Sequence, residues 1–161
     1  MKVFKEILPY LIILIVVVLI RSFLFTPAIV NGDSMKETLL NNEVVIVDKI
    51  NLKRKGIKRY DIVVIKHDGE TLVKRIIGLP GESVEYKDNA LYINGKKETK
   101  YKFQKTKDFK YDEVEKDSYF VLGDNRSISL DSRYFGTIKK KEIKGKVKYI
   151  IFPFSRIGVV K

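Results

Sequence analysis

Ser34 has the setting of a nucleophile. In NGDSMKETLL (31–40) it follows Gly32 and Asp33, both turn formers, just before the chain becomes apolar again. A serine displayed this way is either a nucleophile or a turn residue, and as a nucleophile it needs a group to take its proton. The chain has one histidine and no cysteine. That leaves no thiolate, no disulfide framework and too few ligands for a histidine- or cysteine-bound zinc. His67 stands in KHDG, at the tip of an expected hairpin, where a solvated imidazole is the plain expectation. Lys74 is better placed. Along the expected strand TLVKRIIGL (71–79), alternation puts Leu72, Lys74 and Ile76 on one face and Val73, Arg75 and Ile77 on the other. An amine between Leu and Ile is a candidate for desolvation, which lowers a lysine pKa. To act near neutrality the amine must fall about three units from ~10.4, about 4 kcal/mol against its charged form. Two readings stay open here: a desolvated base, or a lysine snorkelling from a sheet edge.

Other polar groups surround these two. Backbone N–H groups of the Gly32–Asp33–Ser34 turn, that of Ser34 included, are the available donors for a developing oxyanion. Asp33 reads as a turn residue and Glu37 as a solvated carboxylate. VLGDNRSISLDSRYFG (121–136) gathers two aspartates, an asparagine, two arginines and three serines after an apolar strand. Alone it fits a well-bonded loop as readily as one that supports a site.

The elements that must position these residues are mostly strands. EVVIVDKI (43–50), DIVVIKHD (61–68), TLVKRIIGL (71–79), SVEYKD (83–88), ALYING (90–95), SYFVLGD (118–124) and GKVKYIIF (145–152) are short, β-branched or aromatic, and bounded by Gly, Asp, Asn or Pro. Asp68-Gly69 and Asn94-Gly95 are hairpin-turn dipeptides. No helical periodicity is sustained beyond the N-terminal segment, and there is no repeat. The expected fold class is mainly β, an antiparallel domain curled to hide its edges, joined to one N-terminal transmembrane helix. The segment Ile7 to Ile20 carries no charge. It would make roughly 21 Å of helix, and extension to Phe25 makes roughly 28 Å, against a hydrocarbon core of ~30 Å. A removable secretory signal is the rival reading, but no clear small-x-small site follows. The organisation expected is a short cytoplasmic N-terminus (1–6), an anchor (7–25) and an extracytoplasmic domain (26–161) containing a charged surface insertion (96–117).

The formal net charge is +12 over 161 residues. Acids interleave with the lysines of the insertion, so the surface reads as solvated and basic, drawn to anionic head groups, with no nucleic-acid partner. A nucleic-acid role would instead give salt-sensitive affinity through 96–117.

Together the segments resemble a known family. GDSM (32–35) soon after an apolar N-terminal stretch, DIVVIKHDGETLVKRIIGLPGE (61–82), VLGDNRSISLDSRYFG (121–136) and the closing FPFSRIG are similar to the signature boxes of type I signal peptidases. The match is best to the short, single-anchor form of Gram-positive bacteria. The resemblance implies a β-rich catalytic domain on the outer membrane surface that cuts signal peptides from exported preproteins after small residues, without cofactor or metal. It implies Ser34 as nucleophile and Lys74 as general base, Ser129 as the serine that helps orient the lysine, Asp131 as the aspartate of that box, and Arg75 with Asp124 as a structural ion pair. One departure stands out: the family usually has proline where this chain has Glu37. That loss would loosen the turn, and an inward carboxylate there would hold Lys74 charged. Two rivals remain, a self-cleaving Ser–Lys protease and an inert membrane-anchored binding or assembly module.

Overall fold

The computed structural model describes residues 2–99 and 104–160, with side chains for all of these but 2–5, 19–25, 51 and 53. Helix α1 runs Lys2–Leu24 and passes directly into strand β1, Phe25–Ile29. Its side chains from Ile7 to Val18 are exposed. The expected anchor over 7–25 therefore lies partly outside the described side chains. Among the described residues no helix is long and apolar enough to cross a membrane.

The rest is built from antiparallel strands: β2 (Val44–Asp48), β3 (Ile62–His67), β4 (Glu70–Gly78), β5 (Val84–Lys87), β6 (Ala90–Ile93), β7 (Lys96–Lys97), β8 (Phe109–Tyr111), β9 (Ser118–Leu122), β10 (Ile138–Lys139), β11 (Ile143–Phe152) and β12 (Gly158–Val159). All seven expected strands are present. The chain adds short strands and two short helices, α2 (Ile50–Lys55) and α3 (Ser132–Phe135). These are too brief to show a period in sequence.

The main sheet has the order β1-β2-β11-β3-β4-β9-β10, with β12 beside β11. The second sheet has the order β7-β6-β5-β8, so part of the charged insertion forms its outer strands. Residues 100–103 of that insertion lie outside the described set. Both hairpin dipeptides turn as their residues require, with positive φ at Asp68 and Gly69 and at Asn94 and Gly95.

The core explains the two central strands. In β9 every residue is buried: Tyr119 and Val121 pack with Val63, Ile65 and Ile76 on one face, and Phe120 and Leu122 pack with Ile77, Val84 and Tyr86 on the other. Strand β4 is likewise covered on both faces from Lys74 onward, which is why it reads as a nearly unbroken apolar run. A third cluster joins Val45, Val47, Val147 and Ile150 to Met35 and Leu39, so the segment after Ser34 is itself part of the core. The cross-strand register forms one continuous row: Phe25 opposite Asp48, Asp48 opposite Lys146, Lys146 opposite Val63, and Val63 opposite Lys74.

The C-terminal segment clasps this arrangement. Arg156 donates from Nε to buried Glu43, and its Nη2 reaches the Thr38 carbonyl at 3.1 Å. Arg156→Ala strands a carboxylate in the core, and should destabilise the domain by about 2 kcal/mol, discounted for the partly exposed arginine. Chemical denaturation of the full chain measures it.

Candidate functional site

Two neighbouring cations on β4 meet opposite environments. Lys74 is 2% exposed, and its Nζ lies 2.8 Å from Ser34 Oγ. Burial pushes its pKa below the ordinary lysine value. Asp131 pulls it partly back up, and Arg133 lowers it further. The open choice at Lys74 is thereby decided in favour of desolvation, because a snorkelling lysine would hold its head group in water. Arg75 points the other way. Its Nε and Nη2 donate to the two oxygens of Asp124 at 2.8 and 2.7 Å, a bidentate pair that keeps a guanidinium satisfied where it cannot shed its proton. Nη1 donates to the Tyr60 carbonyl at 3.1 Å.

Thr38, unremarked in sequence, joins this pair to the serine turn. Its hydroxyl donates to Asp124 Oδ2 at 2.6 Å and accepts from Arg75 Nη2 at 3.1 Å. Asn125 N–H donates to the Ser34 carbonyl at 3.0 Å. Ser34 is thus held from the 123–125 segment on one side and from the Arg75–Asp124 pair on the other.

Gly123 allows that approach. A Cβ there would come within 2.5 Å of the Ser34 carbonyl oxygen and 2.2 Å of Ser129 Oγ. Ser129 therefore sits beside the serine turn, buried, yet its hydroxyl has no hydrogen-bond partner among the described residues. The only described side-chain hydrogen bond of Lys74 runs to Ser34. Asp131, fully buried, works in the loop itself: it accepts from Gly123 N–H at 3.0 Å and from Arg133 Nε and Nη2 at 2.8 and 2.9 Å, and it caps α3. Arg133 in turn donates to the Arg126 and Ser129 carbonyls. Sequence reading passed over Thr38, Gly123, Asn125 and Arg133. The last three lie within the dense 121–136 segment, where polar density was visible but division of labour was not.

Three neighbours behave differently from expectation or only partly as expected. His67 is half-buried, not solvated. Its Nδ1 lies 2.7 Å from Glu142 Oε1 and its ring packs on Phe135, with centroids 4.7 Å apart. Gly32 donates its N–H to Asn41 Oδ1 at 2.9 Å, which engages one of the turn donors, whereas the Ser34 N–H has no acceptor among the described residues. Glu37 is exposed and accepts from Gln104 Nε2 at 2.6 Å, while Gln104 Oε1 accepts from Arg126 N–H at 3.0 Å. The carboxylate is turned toward the insertion and does not figure among the charges acting on Lys74. Among the described residues no cluster of three or more His, Asp or Glu side chains is arranged to hold a metal ion.

The site thus sets a serine hydroxyl against a desolvated amine on a two-sheet antiparallel framework. Comparison with known proteins gives the family. A family model described as signal peptidase, peptidase S26, matches residues 3–152. Signal peptidase I of Bacillus amyloliquefaciens is 43% identical, over 94% of this chain and 89% of that protein. Signal peptidase IB of Staphylococcus aureus (strain COL) is 37% identical, over 94% and 92%. The crystal structure of a signal peptidase I from Enterococcus faecalis V583 superposes with a TM-score of 0.51 at 37% identity, covering 56% of this chain and 95% of that one. The chain belongs to the signal peptidase family, peptidase S26, and is a peptide-bond hydrolase of that family.

Two substitutions test how the site is held. Gly123→Ala should destabilise by about 2 kcal/mol, since backbone must yield, and should abolish peptidase activity in protein that still melts cooperatively. Glu37 has φ of +106°, which a proline ring cannot adopt. Glu37→Pro should therefore lower stability by roughly 2 kcal/mol, and a higher melting temperature would show that the turn relaxes to another conformation.

Proposed function

We propose that this protein is a membrane-bound serine endopeptidase that removes N-terminal signal peptides from exported preproteins after small residues, with Ser34 as nucleophile and Lys74 as general base. The observation that carries the reading is the 2.8 Å contact between Ser34 Oγ and the buried Lys74 amine. Neutral Lys74 takes the hydroxyl proton as Oγ bonds to the carbonyl carbon before the cut. The oxyanion that develops faces the Ser34 N–H. Collapse breaks the C–N bond, the proton on Lys74 passes to the leaving amine, and the mature chain departs from an acyl-enzyme. Lys74 then deprotonates the water that hydrolyses the ester. Ser129 is a positioning residue in this scheme: its unpartnered hydroxyl accepts from the Lys74 ammonium while the proton rests there. Asp131 holds Gly123 and Arg133, and the Arg75–Asp124 pair fixes the turn through Thr38.

Helix α1 acts as a single-pass anchor, with the N-terminus cytoplasmic and the β domain outside. The uncharged stretch Ile7 to Ile20 lies within the helix, and its side chains from Ile7 to Val18 are exposed, as a surface offered to lipid would be. The register supports the placement. Lys74 lies in the same cross-strand row as Phe25, the first residue after α1, four strands away. That is roughly 19 Å along the sheet at ~4.8 Å per strand. A base level with the helix exit meets a preprotein where its cleavage site leaves the bilayer. The substrate is an extended segment laid beside a strand edge, with shallow pockets selecting small side chains at alternate positions.

Full-length protein in detergent or lipid should cut a preprotein after a small residue, and Ser34→Ala or Lys74→Met should remove at least roughly four orders of magnitude of that rate. Intact preprotein with folded wild-type enzyme would sink the reading. The base must be neutral, so single-turnover rates should rise with pH through an ionisation below 10.5, the ordinary lysine value. The stability sign is opposite to that of a paired lysine. The folded state releases its proton at lower pH than the unfolded chain, so wild-type stability rises with pH between the two pKa values. Lys74→Met should lose that slope and melt a few degrees higher near neutral pH, on the order of 1 kcal/mol.

A further inference from the structure

The same cross-strand row that reaches Lys74 passes a second feature. Asp48 and Lys146, the two residues between Phe25 and Val63 in that row, line a cavity of about 320 Å³ on the side nearer the helix exit. Its other charged walls are Lys55, at the end of α2, Lys58, Asp61 and Lys148. Four lysines against two aspartates leave the cavity cationic. The distribution is uneven. Lys146 pairs with Asp61 at 2.5 Å, and Lys148 lies 3.9 Å from buried Asp48. The Lys58 N–H donates to Asp61 Oδ2 at 2.7 Å, but the ammonium groups of Lys55 and Lys58, both exposed, have no carboxylate partner among the described residues. Apolar residues, Val159 among them at 60% exposure, complete the rim.

We infer that this cavity binds the phosphate group of an anionic membrane lipid, with Lys55 and Lys58 as the charges that hold it. The inference rests on the reading of α1 as the anchor. If α1 ends at the outer membrane surface, a feature within two strands of Phe25 lies roughly 10 Å from the helix exit and at its level. Phosphates line that boundary, the two unpaired ammonium groups meet them, and the apolar rim faces the acyl boundary. An acidic peptide would satisfy the lysines equally but would leave the rim uncovered. The bound lipid would fix the sheet's tilt on the bilayer, and hence the height of Lys74, from a point independent of the helix.

The test uses the full chain with native mass spectrometry after mild detergent extraction from vesicles of phosphatidylglycerol and phosphatidylcholine. Wild type should retain one phosphatidylglycerol per chain. The Lys55→Ala/Lys58→Ala double variant should retain it at least roughly tenfold less, whereas Lys139→Ala/Lys140→Ala, which removes two exposed lysines outside the cavity, should not differ from wild type. Equal retention by both double variants, or retention of either lipid alike, overturns the proposal. Displacement by millimolar inorganic phosphate, or by an acidic peptide, with no preference for the lipid overturns the assignment of its source. A failed anchor is distinguishable: the wild type would then float with neither kind of vesicle, whereas an anchored protein with an empty cavity floats with both and retains no anionic lipid.

Discussion

Everything at the site depends on keeping one amine out of water and without a counter-ion. Lys74 lies where β4 is covered on both faces, and a charged ammonium there would have to be desolvated at a cost of several kcal/mol. The fold does not compensate by pairing it. The next residue shows the contrast. Arg75 is as deeply buried, but a guanidinium cannot shed its proton, so it receives a carboxylate fork from Asp124. Consecutive basic residues on one strand thus meet their burial differently, one with a lowered pKa and one by pairing.

Nearby carboxylates work against that lowering. Asp131 is close enough to raise the Lys74 pKa. Arg133 straddles that carboxylate with two hydrogen bonds and pulls the lysine the other way. The pair therefore does two jobs with one contact. It closes the loop that carries Ser129, and it opposes the field that the aspartate casts on Lys74. Glu37 needs no such opposing charge, because Gln104 engages it away from the amine.

The strands and the opposite facing of Lys74 and Arg75 were legible because their signals are local. Alternation across TLVKRIIGL separates Lys74 from Arg75, and Asp68-Gly69 and Asn94-Gly95 announce their turns. The support was not legible for equally physical reasons. Thr38 acts through Asp124, 86 residues away, and nothing in ETLL marks it. Gly123 is small because two distant backbones meet there, a fact of packing with no local pattern. His67 looked solvated because KHDG is a turn sequence, and the turn is indeed there. The Glu142 carboxylate and the Phe135 ring that cover it come from segments far along the chain.

Register joins the legible part to the rest. Because side chains alternate along a strand, slipping β4 by one residue against β3 would exchange the faces of Lys74 and Arg75. Lysine would then meet Asp124, while a permanently protonated guanidinium would face Ser34. The pairing of Val63 with Lys74 is therefore a chemical specification as well as a structural one. It is secured by the two faces of β4 being sorted into different cores, Ile76 with Val63 and Tyr119, and Ile77 with Val84 and Phe120. Those apolar contacts lie two residues beyond Lys74 and Arg75, and they decide which of the two side chains reaches the serine.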